Sequence, residues 1–118
     1  MKDCIFCKIL KKELPAEILF EDEYVLAFPD IAQLAPVHIL IIPKEHIPSI
    51  NDLEDTDAGI NIAGRLITVA KKLARENGIA DDGYKLLFRV GVNGGQEVPH
   101  IHLHLIGGAV LTENIHPK

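Results

Sequence analysis

The chain lacks the features that mark a membrane protein, a secreted protein or a reader of nucleic acid. No apolar run approaches the roughly 20 residues that a membrane-spanning helix needs. Met1-Lys2-Asp3 leads straight into Cys4-Ile5-Phe6-Cys7, with no basic segment followed by an apolar one, so no secretory signal and no membrane partner are expected. A cytoplasmic location is the resulting expectation. Positive charge is short: 12 Lys and Arg stand against 17 Asp and Glu, a net charge of −5, which argues against a nucleic acid polymer as partner. A small phosphate ligand stays open, because backbone N–H groups and a few side chains can hold one. Cysteine is scarce, with Cys4 and Cys7 alone. A bridge this short is a poor structural staple in a cytosolic chain, which leaves metal binding or plain packing. Internal repeats, low-complexity tracts and linkers are also missing. With 118 residues, 47% of them apolar, the chain suffices for one core and not for two, so a single domain over 1–118 is expected.

What is present divides into short apolar runs and one long amphipathic segment. Residues 4–12 read as a short helix, with Asp3 as its N-cap and Pro15 beyond its end. Runs over 17–21 and 24–29 flank Asp22-Glu23 and suit a β-hairpin. Residues 37–42 form a continuous apolar run stopped by Pro43, as in a strand buried on both faces. From 57 to 77 the period is helical, with Asp55 or Thr56 to cap the start and Gly78 to end it. One stripe is Ile62, Leu66, Val69 and Leu73; a second is Ile60, Ala63, Ile67, Ala70 and Ala74. Two stripes exceed what one sheet face can cover, so the helix is expected to meet a second copy of the chain as well. Residues 84–90 and 98–106 complete the strands, and 109–118 form a tail without pattern. Antiparallel strands with one long helix make an α+β domain.

The most informative stretch is His100-Ile101-His102-Leu103-His104-Leu105. Alternation places Ile101, Leu103 and Leu105 in a core and the three imidazoles in a row on the other face, with neighbouring Cα atoms roughly 6.6 Å apart. Imidazole is nucleophilic when neutral and carries a proton near pH 7. Half of the chain's six histidines lie in these five positions, so a merely polar strand face is a poor explanation. Immediately upstream, Gly91-Val92-Asn93-Gly94-Gly95-Gln96 is a glycine-rich turn. Beside the histidines it reads as a phosphate cradle, since glycine lets a ligand approach the backbone.

Gly94-Gly95-Gln96-Glu97-Val98-Pro99 followed by the alternating histidines resembles the signature of the histidine triad (HIT) family of nucleotide hydrolases and transferases. Ala35-Pro36-Val37-His38-Ile39-Leu40-Ile41-Ile42-Pro43-Lys44-Glu45-His46-Ile47 is similar to a second family block. Phe6, Lys8-Ile9, Pro15-Ala16, Phe20-Glu21-Asp22 and Ala27-Phe28-Pro29-Asp30-Ile31 are similar to a third. The likeness runs from about residue 4 to 108 and is strongest to the Hint branch, the nucleoside phosphoramidases. It implies the HIT fold: an antiparallel sheet of about five strands, one long helix, a short N-terminal helix, and a homodimer.

The resemblance also implies a mechanism. His102 is the nucleophile towards the α-phosphorus of a purine nucleoside 5′-phosphoramidate or an aminoacyl-adenylate-like substrate, giving a covalent nucleotidyl-histidine that water hydrolyses. His104 contacts the transferred phosphate. His38 supports the triad from a neighbouring strand, and His100 is its outermost member. Phe6, Ile9, Phe28 and Ile31 enclose the purine of an AMP-like ligand, and Asp30 accepts hydrogen bonds from the ribose. Arg89, Gly95, Gln96, Glu97 and Val98 complete the nucleotide site. No catalytic cofactor is implied.

Two residues depart from the family pattern. Arg89 stands where relatives carry an amide, and reaches a phosphate or pairs with an acid. Glu97 stands where many carry Ser or Thr. The tail also lacks the Trp-containing ending of animal Hint proteins. Some bacterial HIT proteins hold a structural zinc through two cysteines and two histidines, which here implies Cys4, Cys7, His46 and His100 as a closed Cys₂His₂ set. Two alternatives compete with the phosphoramidase. One is a Fhit-like dinucleoside polyphosphate hydrolase. The other is a non-catalytic nucleotide- or metal-binding module in which the alternating histidines hold the metal.

Overall fold

One sheet has to bury two apolar surfaces, and its central strands are apolar on both sides for that reason. A computed structural model describes residues 4–118. Its elements are α1 (Ile5–Leu10), β1 (Phe20–Glu21), β2 (Val25–Pro29), β3 (Val37–Pro43), a 3₁₀ turn (Ile50–Asp52), α2 (Asp57–Glu76), β4 (Tyr84–Phe88) and β5 (Leu103–Gly107). The strands pair antiparallel in the order β1-β2-β3-β5-β4. This is the α+β architecture expected, with five strands, one long helix and one short one.

Alternate residues of β2, β3 and β5 face α2. Val25, Ala27, Ile39, Ile41, Leu103 and Leu105 pack there against Leu66, Val69, Ala70, Leu73 and Ala74. The opposite face carries Leu26, Phe28, Leu40 and Ile42, covered by Cys4, Phe6, Cys7 and Ile9 of the α1 segment. The helix α2 begins at Thr56, whose hydroxyl accepts the Gly59 N–H at 3.3 Å, and turns off through Gly78 at φ 73°. Its second stripe is split. Ala70 and Ala74 are buried, whereas Ile60 and Ile67 are 68% and 49% exposed.

The differences from expectation are local. α1 covers six residues, and Cys4 caps it, its sulfur accepting the Cys7 N–H at 3.3 Å; Asp3 lies outside the described residues. The first arm of the hairpin keeps only two paired residues. β4 stops at Phe88, where the chain enters the glycine-rich turn. β5 begins at Leu103 and not at residue 98. Pro99 has no N–H to give a ladder, and the His100 N–H closes a tight turn onto the Val98 carbonyl at 2.9 Å. His100 and His102 therefore precede the regular strand. The tail is tethered to β4 where Lys85 Nζ donates to the Thr112 carbonyl at 2.9 Å and pairs with Glu113 at 3.0 Å. Among the described residues no helix is long and apolar enough to cross a membrane.

Leu105 is fully buried between β3 and β4 and faces α2. Leu105→Ala is expected to lower stability by about 2–5 kcal/mol in urea denaturation, and a loss below about 1 kcal/mol would contradict this packing.

Candidate active site

The α1-side sheet face opens into a pocket of about 420 Å³ at the ends of β2, β4 and β5. The register aims its polar groups. His104 on β5 lies opposite Leu40 of β3 and Leu87 of β4. His38 stands two residues from Leu40 on β3, and Arg89, two residues from Leu87, follows directly after the end of β4. His38 Nε2 lies 2.9 Å from His104 Nδ1, and Arg89 Nη1 lies 3.1 Å from His104 Nε2. Asp30, just past β2, brings Oδ2 to 3.3 Å from His38 Nε2, while its Oδ1 accepts the Ala32 N–H at 3.0 Å.

His102 is held differently. Its Nδ1–H donates to the main-chain carbonyl of His100 at 2.8 Å. With that nitrogen protonated, the Nε2 lone pair of the neutral ring is unprotonated and free for chemistry. The Phe6 ring meets His102 edge-on at 5.1 Å between centroids, and the His104 ring lies 5.0 Å from that of His102. Burial pushes the His102 pKa below its ordinary value. Burial, then the neighbouring His102 and Arg89, push His104 down to about 4. Both rings are neutral at pH 7, the state a nitrogen nucleophile requires.

Phe6, Ile9, Phe28, Asp30, Ile31, Arg89, Gly95, Glu97, Val98, His102 and His104 all line this pocket. Three expected residues do not. His38 sits behind His104, with its Nδ1 accepting the Leu34 N–H at 3.1 Å. Gln96 turns into its own loop: its Oε1 accepts the Gly91 N–H at 3.0 Å, and its Nε2 donates to the Pro48 and Val98 carbonyls at 2.7 and 2.9 Å. The loop amides are also spent internally, Gly95 N–H on Val92 and Gln96 N–H on Gly91. The glycines serve the turn, since a Cβ on Gly94 would collide with the Val90 backbone and Gly95 has φ 78°. The pocket also takes in Ile5, Pro15, Ala16, Glu17 and Leu40. Leu40 reads as plain core from its sequence, and Glu17 has no signal at all.

His100 leaves the histidine row. Its Nε2–H donates to the Pro43 carbonyl at 2.8 Å, so the Nδ1 lone pair faces Cys4 Sγ at 3.4 Å and Cys7 Sγ at 3.6 Å. His46 Nδ1 lies 3.1 Å from Cys7 Sγ. The four ligand atoms all fall within 4.8 Å of one another. A tetrahedral zinc with ordinary bond lengths separates its ligands by about 3.3–3.8 Å, so this donor set fits one. Burial pushes the Cys7 thiol pKa up, a cost that a bound dication would reverse. Among the described residues the three alternating histidines form no joint ligand set.

The fold and the site define an antiparallel α+β protein with a paired-histidine pocket on one sheet face and a Cys₂His₂ cluster beside it. A HIT domain model matches residues 11–110, and the chain belongs to the HIT domain family. It is 48% identical over 110 residues to the purine nucleoside phosphoramidase of Escherichia coli K12, covering 93% of this chain and 91% of that one. The crystal structure of a HIT family hydrolase from Legionella pneumophila superposes with a TM-score of 0.88 at 51% identity, covering 93% of this chain and 96% of the other. A HIT family hydrolase from Clostridium thermocellum gives 0.91 at 45% identity, covering 98% and 99%.

The lowered pKa of His104 has a direct consequence. An unfolded histidine protonates near its ordinary 6.5, whereas folded His104 resists to about 4. The stability carried by the neutral ring is therefore full above pH 6.5 and is lost as pH falls from there towards 4. Ring ¹⁵N NMR is expected to show His104 titrating well below 6.5, with the urea midpoint falling over the same window. A His104 pKa at the ordinary value would refute the burial argument.

Proposed function

We propose that the protein hydrolyses purine nucleoside 5′-phosphoramidates and related aminoacyl-adenylates through a covalent nucleotidyl-His102. The observation that carries this reading is the His102 Nδ1–H bond to the His100 carbonyl, which leaves Nε2 unprotonated at a pocket with apolar walls from Phe6, Ile9, Phe28 and Ile31 and polar groups from Asp30, Arg89, Glu97 and His104. The relative from Escherichia coli bears the name of that activity.

The chemistry divides into two displacements. The Nε2 lone pair of His102 forms a bond to the α-phosphorus. The P–N bond to the leaving amine breaks, and the amine leaves with the bonding pair and a proton from solvent. Water then attacks phosphorus and gives up a proton, the P–Nε2 bond breaks, and its electron pair returns to the ring. The Nδ1–H bond to His100 steadies the ring while Nε2 carries phosphorus. His104 donates to the phosphoryl oxygens, and His38 with Asp30 behind it holds His104 in place. Phe6, Ile9, Phe28 and Ile31 take the purine face, and Asp30 keeps lone pairs for the ribose hydroxyls. Arg89, Gly95, Glu97 and Val98 border the phosphate end, and Gln96 braces their loop.

A structural zinc on Cys4, Cys7, His46 and His100 belongs to this reading, as does a cytoplasmic setting that keeps the thiols reduced. The zinc supplies cross-linking of α1 to the segments after β3 and before β5. The exposed Ile60 and Ile67 of α2 support a homodimer built on that helix.

A substrate panel tests the activity. Adenosine 5′-phosphoramidate should be hydrolysed, an adenylylated protein should be trapped on quenching, and His102→Ala should lose at least about a thousandfold in kcat/KM. Faster turnover of diadenosine polyphosphates would move the assignment to the dinucleoside polyphosphate hydrolases. AMP binding without any turnover would leave a binding module. For the metal, protein purified without added zinc is expected to contain about one equivalent, and Cys4→Ser to lower the Tm while activity at permissive temperature survives. Absence of metal together with an unchanged Tm in Cys4→Ser would remove the zinc.

A further inference from the structure

The four-residue chain Leu34, His38, His104 and Arg89 contains one hydrogen too many. Leu34 N–H and Arg89 Nη1 are donors that cannot become acceptors. Each faces the outer nitrogen of an imidazole: Leu34 N–H meets His38 Nδ1 at 3.1 Å, and Arg89 Nη1 meets His104 Nε2 at 3.1 Å. Both outer nitrogens would need lone pairs. The inner nitrogens, His38 Nε2 and His104 Nδ1, are 2.9 Å apart and have room for one hydrogen between them. Two neutral imidazoles bring two hydrogens, so one contact along the line must set donor against donor.

The surroundings decide where the misfit falls. Asp30 Oδ2, at 3.3 Å, attracts a hydrogen onto His38 Nε2, and Leu34 claims the Nδ1 lone pair of the same ring. His38 Nε2–H then donates to His104 Nδ1, and His104 must carry its hydrogen on Nε2, against the guanidinium. Arg89 is in direct ion-pair contact with none of the carboxylates of the pocket, Glu17, Asp30 and Glu97: the ion pairs among the described residues engage Lys12, Lys44, Lys72, Lys85 and His38. Both donors line the pocket, beside His102.

We propose that Arg89 is a catalytic residue which, together with His104 Nε2–H, grips one anionic non-bridging oxygen of the transferred phosphoryl group. An oxygen accepting from both groups removes the donor–donor contact and neutralises the guanidinium at once. A neutral ligand cannot do the second. The pocket thus selects substrates whose phosphorus carries negative charge, and the charge of the ligand contributes separately from the recognition of its base. This rests on the reading of the pocket as a nucleotide site, but not on its turning substrate over.

Calorimetric titration of AMP and of adenosine into wild type, Arg89→Gln and Arg89→Lys tests it. Glutamine keeps an N–H donor and loses the charge. AMP affinity should fall at least about tenfold in Arg89→Gln while adenosine affinity changes by less than about twofold, with Arg89→Lys between, because lysine keeps the charge and loses the fork. Unchanged AMP affinity, or equal weakening of AMP and adenosine, would overturn the proposal. Ring ¹⁵N NMR of ligand-free wild type supplies a test that needs no variant. The Nε2–H tautomer of His104 is expected, and the Nδ1–H tautomer would overturn the argument. If phosphoramidate hydrolysis is absent but AMP binding depends on Arg89, the phosphoramidase reading fails and this one stands. If hydrolysis is present and AMP binding ignores Arg89, the reverse holds.

Discussion

Everything at the site depends on main-chain groups that fix which nitrogen of each imidazole carries hydrogen. The His100 carbonyl takes the Nδ1–H of His102, the Pro43 carbonyl takes the Nε2–H of His100, and the Leu34 N–H claims the Nδ1 lone pair of His38. A neutral imidazole has one donor and one acceptor nitrogen, so fixing one determines the other. Three histidines similar in sequence context thereby acquire different chemistry: a free nucleophilic nitrogen at His102, a lone pair towards thiols at His100, and a relay position at His38. Each of these backbone groups is available because the chain is irregular there or the strand is ending. A fully paired β5 reaching back to residue 98 would spend the His100 carbonyl in its ladder.

The two-sided sheet supplies the rigidity that these contacts need. α2 covers one face and fixes β3 against β5, so that register places Leu40 and Leu87 on either side of His104. α1 covers part of the other face and leaves the remainder as the pocket, with Phe6 both core residue and wall. The phenyl ring packs between Phe28 and His102, at 5.6 and 5.1 Å between centroids. Apolar contact therefore positions the nucleophile from one side while the carbonyl holds it from the other. Dehydration by the same contacts keeps both pocket imidazoles neutral.

Much of this was legible in the residues. The alternation at 100–105 identified which side chains enter the core, and Ile101, Leu103 and Leu105 do. Pairing partners were not legible, because register depends on long-range contacts; hence the position of Arg89 beside His104 could be named as a departure from relatives but not understood. The strand limits failed at 98–102 because periodicity continues through a turn that Pro99 and the Val98 carbonyl impose on the backbone alone. The glycine-rich turn was readable as a turn, but not that its amides and the Gln96 side chain would be consumed in holding it together. The residues alone leave His100 open between two roles; its ring turns Nδ1 towards Cys4 and gives its Nε2–H to the Pro43 carbonyl.

His100 also ties the two clusters together. Its ring faces the thiols while its carbonyl orients His102, so both sites share one residue and the short unpaired stretch around it. That stretch has no strand neighbours to hold it; the Ile101 N–H bond to the Ile47 carbonyl at 2.8 Å is its backbone anchor to the segment after β3. A cation gripped by Cys4, Cys7, His46 and His100 would pin the same stretch to α1 and to the segment carrying His46. The Cys₂His₂ cluster is a closed donor set whose four residues all lie outside the pocket lining, so its contribution is orientation and not chemistry. On this argument the cysteines matter to the nucleophile only through the carbonyl of the residue between them and it.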